Sequence, residues 1–152
     1  MVNIVIEVSK YLLILLIAAY TYWNFSYFRF RDPWQQGRVC VRQNVAMFLL
    51  HFVAYAVLFL KSEDERVILF YLAQVVFLAV YLGLYKVFYP LRSRLLVNNM
   101  CMLLCIGFVI LTRLDFDKAL RQFVIVAVSA LITWIIPFIL ERVWQLANIP
   151  WV

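Results

Sequence analysis

Apolar residues in this chain come in long runs, and polar residues gather between them. Five such runs, roughly 4–28, 44–60, 67–85, 95–112 and 123–140, fill most of its 152 residues. A hydrocarbon layer about 30 Å thick is crossed by about 20 mostly apolar helical residues, with tolerance down to about 17. Runs of that length without period-two alternation predict helices, which satisfy their own backbone hydrogen bonds inside a bilayer. The expected fold class is all-α: a polytopic membrane protein of about five transmembrane helices. Hydrophobic residues make up 67% of the chain and charged residues 14%, against about 45–50% and 25% in soluble domains. A soluble domain of this size has too little interior to hide that surface.

Charge changes the picture by its position. The net charge of +6 sits in short connections beside the apolar runs, where it meets lipid headgroups, so membrane lipid is the expected partner and nucleic acid is not. The connections 29–43 and 86–94 hold seven Lys and Arg between them; 61–66 and 113–122 hold five. The excess of basic residues on cytoplasmic loops then places the N-terminus outside and the C-terminus in the cytoplasm. Aromatic clusters at Tyr22, Trp23, Tyr27 and Phe28, and at Tyr85, Phe88 and Tyr89, adjoin the basic connections as interfacial belts do. Pro33 and Pro90 mark the turns there. The first run starts apolar and ends in bulky aromatics rather than a small-residue cleavage site, so it reads as a retained helix.

Polar side chains inside the runs are the candidates for chemistry, because burying them is costly. His51 lies in the second run and Gln74 in the third. A neutral imidazole bonded to a neighbouring helix, and an interhelical amide, are the expectations for these two intramembrane polar residues. Asn98 and Asn99 open the fourth run, within reach of headgroups or loop backbone, and Glu7 and Lys10 are spaced to pair. Pro137 predicts a kink in the fifth helix, with Thr133 compensating. Glu63, Asp64 and Glu65 read as a solvated turn, and one of Asp115 and Asp117 as the cap of the last helix. Cys101 and Cys105 read as packing residues and Cys40 as a loop thiol; no disulfide framework or metal spacing is present. No catalytic, cofactor or metal motif emerges from these residues, and no cofactor is expected.

The segment from Asn98 to Leu140 is the most distinctive: NNMCMLLCIGFVILTRLDFDKALRQFVIVAVSALITWIIPFIL. A helix with Gly107 near its middle, a short loop, and Arg121-Gln122-Phe123 opening the next helix resemble the first two core helices of the RodA/FtsW/SpoVE (SEDS) family of cell-shape, division and sporulation proteins. The likeness covers under a third of the chain. Leu111-Thr112-Arg113-Leu114 stand where family members carry a Tyr-Ser-Ala-Ser-like stretch. The resemblance divides the chain into an added three-helix region, 1–94, and the opening of a SEDS-like core, 95–152. It implies a peptidoglycan glycosyltransferase of the bacterial cytoplasmic membrane that polymerises a lipid-linked cell-wall precursor beside a class B penicillin-binding protein. Arg121 and Gln122 would support the outer mouth of the substrate groove. The family's catalytic aspartate lies on a later outer loop, so the chain reads as an N-terminal piece that is inactive alone. The expected outward run of the fourth helix agrees with the charge-based orientation.

Two other functions fit the same composition. A small non-catalytic membrane scaffold would use small residues such as Ala127, Ser129 and Ala130 for helix packing. A carrier or channel would line a path with His51 and Gln74, but it calls for more intramembrane charge than is present.

Overall fold

The connections between helices are set by side chains that cap backbone ends. Asp32 accepts a hydrogen bond from the Trp34 backbone N–H at 3.2 Å, and Pro33 fills the first helical position, where its missing N–H is no loss. Asp115 accepts from the Lys118 N–H at 3.1 Å in the same way. The computed structural model describes residues 2–88 and 93–147, with side chains over 4–88 and 93–135. It contains five helices: α1 (Val2–Arg29), α2 (Pro33–Ser62), α3 (Glu65–Phe88), α4 (Arg94–Leu114) and α5 (Phe116–Ala147). Among the described residues there is no strand. All five helices are long and apolar enough to cross a membrane, the pattern of a multi-pass membrane protein.

Two boundaries differ from the sequence expectation. Residues 33–43 are helix, so α2 starts at its proline rather than near Asn44, and the connection shrinks to three residues. At 30 residues, α2 is about 45 Å long at 1.5 Å per residue. Charge outside the hydrocarbon does not interrupt a helix, which is why Arg38 and Arg42 continue it. Cys40 is consequently a buried helical residue and not a loop thiol. Likewise α5 starts at Phe116, placing Arg121 and Gln122 in its second turn instead of at its opening. The turn at 89–92 falls outside the described residues. So does the Pro137 side chain, although α5 runs through that position.

The α2–α3 turn is exposed as expected. Glu63 adopts the left-handed region at φ 52° and donates its N–H to the Phe59 carbonyl at 2.8 Å. Asp64 accepts from the Arg66 N–H at 2.9 Å. Lys10 and Glu7 form an exposed ion pair at 2.6 Å on α1.

Hydrogen-bond partners fix the helix directions. Along α2, Gln43 meets Asn98 and Tyr55 meets Thr112, so α2 and α4 run parallel. His51 meets Gln74 while Tyr55 packs on Tyr71, so α2 and α3 run antiparallel. α2 touches α1, α3 and α4; α4 in turn touches α3 and α5. The α2–α4 seam repeats every seven residues, with 40, 43, 47, 50 and 54 buried on one helix and 98, 101, 105 and 108 on the other. Cys101, Cys105 and Ala46 are small, which lets the backbones approach in a solvent where apolar surfaces gain nothing by leaving lipid. Leu16 and Tyr20 of α1 and Leu78 of α3 complete this core, so helices on both sides of residue 94 share it.

Near its start α5 is held by close packing. Ala119 is fully buried, and the Phe123 ring meets Phe70, Phe77 and Phe108 edge-on at centroid distances of 5.6, 5.5 and 5.7 Å. Edge-to-face pairs of this kind are each worth about 0.5–1.5 kcal/mol beyond burial. Between this anchor and residue 135 most side chains of α5 are exposed, with Trp134 packed on the Phe88 ring at 5.0 Å.

The cap at Asp115 makes the start of α5 sensitive to acid. The Lys118 N–H, then the Lys118 ammonium at 3.2 Å, hold the Asp115 carboxyl below its ordinary value of 3.8. A carboxylate whose folded pKa is depressed stabilises the fold above its unfolded pKa and loses that contribution as pH falls through the folded one. Protection of the Lys118 amide, corrected for intrinsic exchange, should therefore fall as pH drops below about 3.8. Asp115→Asn should abolish that step; a step of the same size in both proteins would refute the assignment.

Candidate functional site

The bundle buries polar side chains in two layers, and a groove opens on its surface. The first layer lies near the 30–32 connection. Asn98 of α4 donates to Gln43 Oε1 and to the Cys40 carbonyl, both at 3.1 Å. Gln43 donates to Asn24 Oδ1 at 3.2 Å, and Asn24 donates to the Tyr20 carbonyl at 3.3 Å. The Tyr20 hydroxyl donates to Asn99 Oδ1 at 2.9 Å. Asn98 and Asn99 are thus satisfied by α1 and α2 rather than by headgroups or loop backbone. The reason is that α2 extends past the hydrocarbon and brings its own amide and carbonyl alongside them.

The second layer contains His51 and Gln74, both fully buried. Donor and acceptor counts set its direction. Thr112 commits its only hydroxyl hydrogen to the Phe108 carbonyl at 2.7 Å. It therefore accepts from Tyr55 at 2.8 Å, which outcompetes Gln74 Oε1 at 3.0 Å for the single phenolic hydrogen. Gln74 Nε2 donates to the Tyr55 oxygen at 2.8 Å. Gln74 Oε1 is an acceptor only, so His51 bears its proton on Nε2 and donates across 2.9 Å. The chain of donors runs His51, Gln74, Tyr55, Thr112 and the α4 backbone, crossing three helices. His51 Nδ1 is left buried with a lone pair and no partner. The imidazole ring packs on Tyr55 and Tyr71 at 4.8 and 5.2 Å.

The groove lies elsewhere, between α3, α4 and α5, with a volume of about 270 Å³. Gln122, Ser129 and Thr133, spaced seven and four residues apart, carry one polar stripe of α5 along it, facing Tyr81 and Met100. Thr133 donates its hydroxyl to the Ser129 carbonyl at 2.8 Å. Gln122 thus lines an opening, whereas Arg121 is exposed beside it and does not line it. Gly107 faces open space: a Cβ there would meet nothing within 4 Å. The four residues His51, Gln74, Arg121 and Gln122 therefore do not converge on one site. Among the described residues no group of histidine, cysteine or acidic side chains is placed to hold a metal ion.

Sequence reasoning missed Gln43, Asn24, Tyr55 and Thr112. The seven-residue spacing of 98, 105 and 112, and of 43 and 50, was the available signal, since it puts Gln43 and Asn98 on facing seams. No family model, no curated protein and no solved structure matches the chain.

Tyr55 is the pivot of the second layer, so its hydroxyl should be worth about 0.6–1.7 kcal/mol in membranes or mixed micelles. Tyr55→Phe should lower the unfolding free energy by that amount, and Thr112→Val should add little to it. Fully additive losses in the double variant would show that the two hydroxyls are not coupled.

Proposed function

We propose that residues 1–152 form the N-terminal membrane region of a peptidoglycan glycosyltransferase resembling the RodA/FtsW/SpoVE family. In this reading the N-terminus lies outside the bacterial cytoplasmic membrane and the C-terminus inside. The division into 1–94 and 95–152 separates an added bundle from the start of the catalytic core. The observation that carries the reading is Gln122: it belongs to the segment that resembles the family, and it lines a groove open to the side. A lipid-linked disaccharide enters from the bilayer plane, so its site needs apolar walls for the chain and donors toward the surface for the polar head. Phe77, Leu104 and Val126 supply such walls, and Gln122 lies about 10 Å from the start of α5. Catalysis belongs to the later outer loop of the resembled family, which is not within these residues. A class B penicillin-binding protein is the corresponding partner, and Arg121 anchors the helix beside the groove mouth.

The full-length gene product, purified with its class B partner and given lipid-linked disaccharide precursor, should form glycan strands. Gln122→Leu should slow polymerisation about tenfold, the loss of one buried hydrogen bond to a polar head. No polymer from the wild-type complex, with the protein folded, overturns the reading. Orientation has its own check. Cys40, Cys101 and Cys105 are buried, so a cysteine placed at Asp64 gives an accessible thiol with low background. It should react with an impermeant maleimide on intact cells; reaction only after the inner face is exposed reverses the topology.

A further inference from the structure

The first third of α2 carries a basic stripe that neither the buried layers nor the groove uses. Trp34, Arg38 and Arg42 follow one another at intervals of four, on one face of the helix. With Phe30, Gln35 and Val39 they line a groove of about 230 Å³. The Arg38 guanidinium stacks over the Trp34 ring, 4.8 Å from its centroid. All three stripe residues are exposed, and among the described residues neither arginine has a carboxylate within ion-pair distance. Asp32, the nearest acid in sequence, accepts from the Trp34 backbone instead.

Helix length sets the depth of this groove. α2 has 30 residues, and about 20 are enough to cross the hydrocarbon. Its apolar part starts at Asn44, which puts Arg42 at the hydrocarbon edge, Arg38 about 6 Å above it in the headgroup layer, and Trp34 about 12 Å above it. A guanidinium presents a planar fork to phosphate oxygens, and stacking on the Trp34 ring holds that of Arg38 in place. Paired forks one helical turn apart, with exposed Val45 and Leu49 continuing the same face as an apolar wall toward the hydrocarbon, match a phosphodiester that has acyl chains beneath it. We propose that Arg38, Arg42 and Trp34 form a specific site for the phosphate headgroup of an anionic phospholipid. The site is independent of the glycosyltransferase reading. A free phosphate ion shares the chemistry of the head but gains nothing from the apolar wall.

Native mass spectrometry of the chain released from nanodiscs of phosphatidylcholine with about a fifth phosphatidylglycerol tests this. Wild type should retain phosphatidylglycerol preferentially, and Arg38→Gln with Arg42→Gln should weaken retention about tenfold or more. Arg66→Gln with Arg113→Gln, at the opposite helix ends, should leave it unchanged. Arg38→Lys with Arg42→Lys keeps both charges for a fold check and should give an intermediate loss, because an ammonium lacks the bidentate fork. Equal retention by wild type and the glutamine pair overturns the site. So does an equal loss in the opposite-end pair, which marks a diffuse charge effect. Displacement of the lipid by millimolar inorganic phosphate overturns it as a lipid site and identifies a free-anion site.

Discussion

Hydrocarbon gives apolar helix surfaces no reason to leave it, so what joins these helices is the need to satisfy polar groups they carry into it. Each polar layer spans three helices, and α2 and α4 belong to both. The first layer ties α2 to α1 and α4 through Gln43, Asn24 and Asn98; the second ties it to α3 and α4 through His51, Gln74, Tyr55 and Thr112. Gln43 and His51 are eight residues apart, so the layers are about 12 Å apart along the helix. Two separated cross-links fix both the rotation and the vertical register of α2 against α4. The small residues packed between them then meet closely, and α5 adds itself through Phe123.

The spans themselves were plain in the sequence, because run length and composition decide whether a helix crosses a bilayer. Their ends were less so. Arg29 to Gln43 read as a connection because it is polar, yet Asp32 and Pro33 already mark a helix start. The same polarity put Arg121 at the opening of α5, although Asp115, one of the two expected caps, marks its start at Phe116. This error had a cost beyond boundaries: a Gln43 assigned to a loop is not a candidate for burial, and without it Asn98 has no visible partner. His51 and Gln74 stood out individually, since each is a polar residue inside an apolar run. Their pairing depends on helix order and rotation, which no single run contains. Arg121 and Gln122 are adjacent in sequence but diverge in space, because neighbouring residues on a helix point about 100° apart, and of these two it is Gln122 that lines the groove.

The polar inventory also separates structural from available groups. In the first layer every amide named is committed to a partner, and Gln74, Tyr55 and Thr112 are equally committed in the second. The lateral groove and the basic stripe are different in kind. Gln122 on one, and Arg38 and Arg42 on the other, are exposed, and each lies at the edge of an apolar wall. These are positions where an amphiphile can place a polar head without displacing any bond that holds the bundle.

The parallel pairing of α2 with α4 constrains how the chain is made. Helices inserted in order of synthesis bring α2 into the membrane long before its main partner. Gln43 finds Asn24 of the preceding helix at once, but His51 and Tyr55 have no acceptor until Gln74 arrives with α3. Only α4 then supplies Thr112 to take the Tyr55 hydrogen, and Asn98 to donate to Gln43. Biogenesis is therefore a sequence of deferred commitments, in which the imidazole of α2 stays unpaired until α3 arrives, and α2 must be retained near the insertion site until the fourth helix closes both layers.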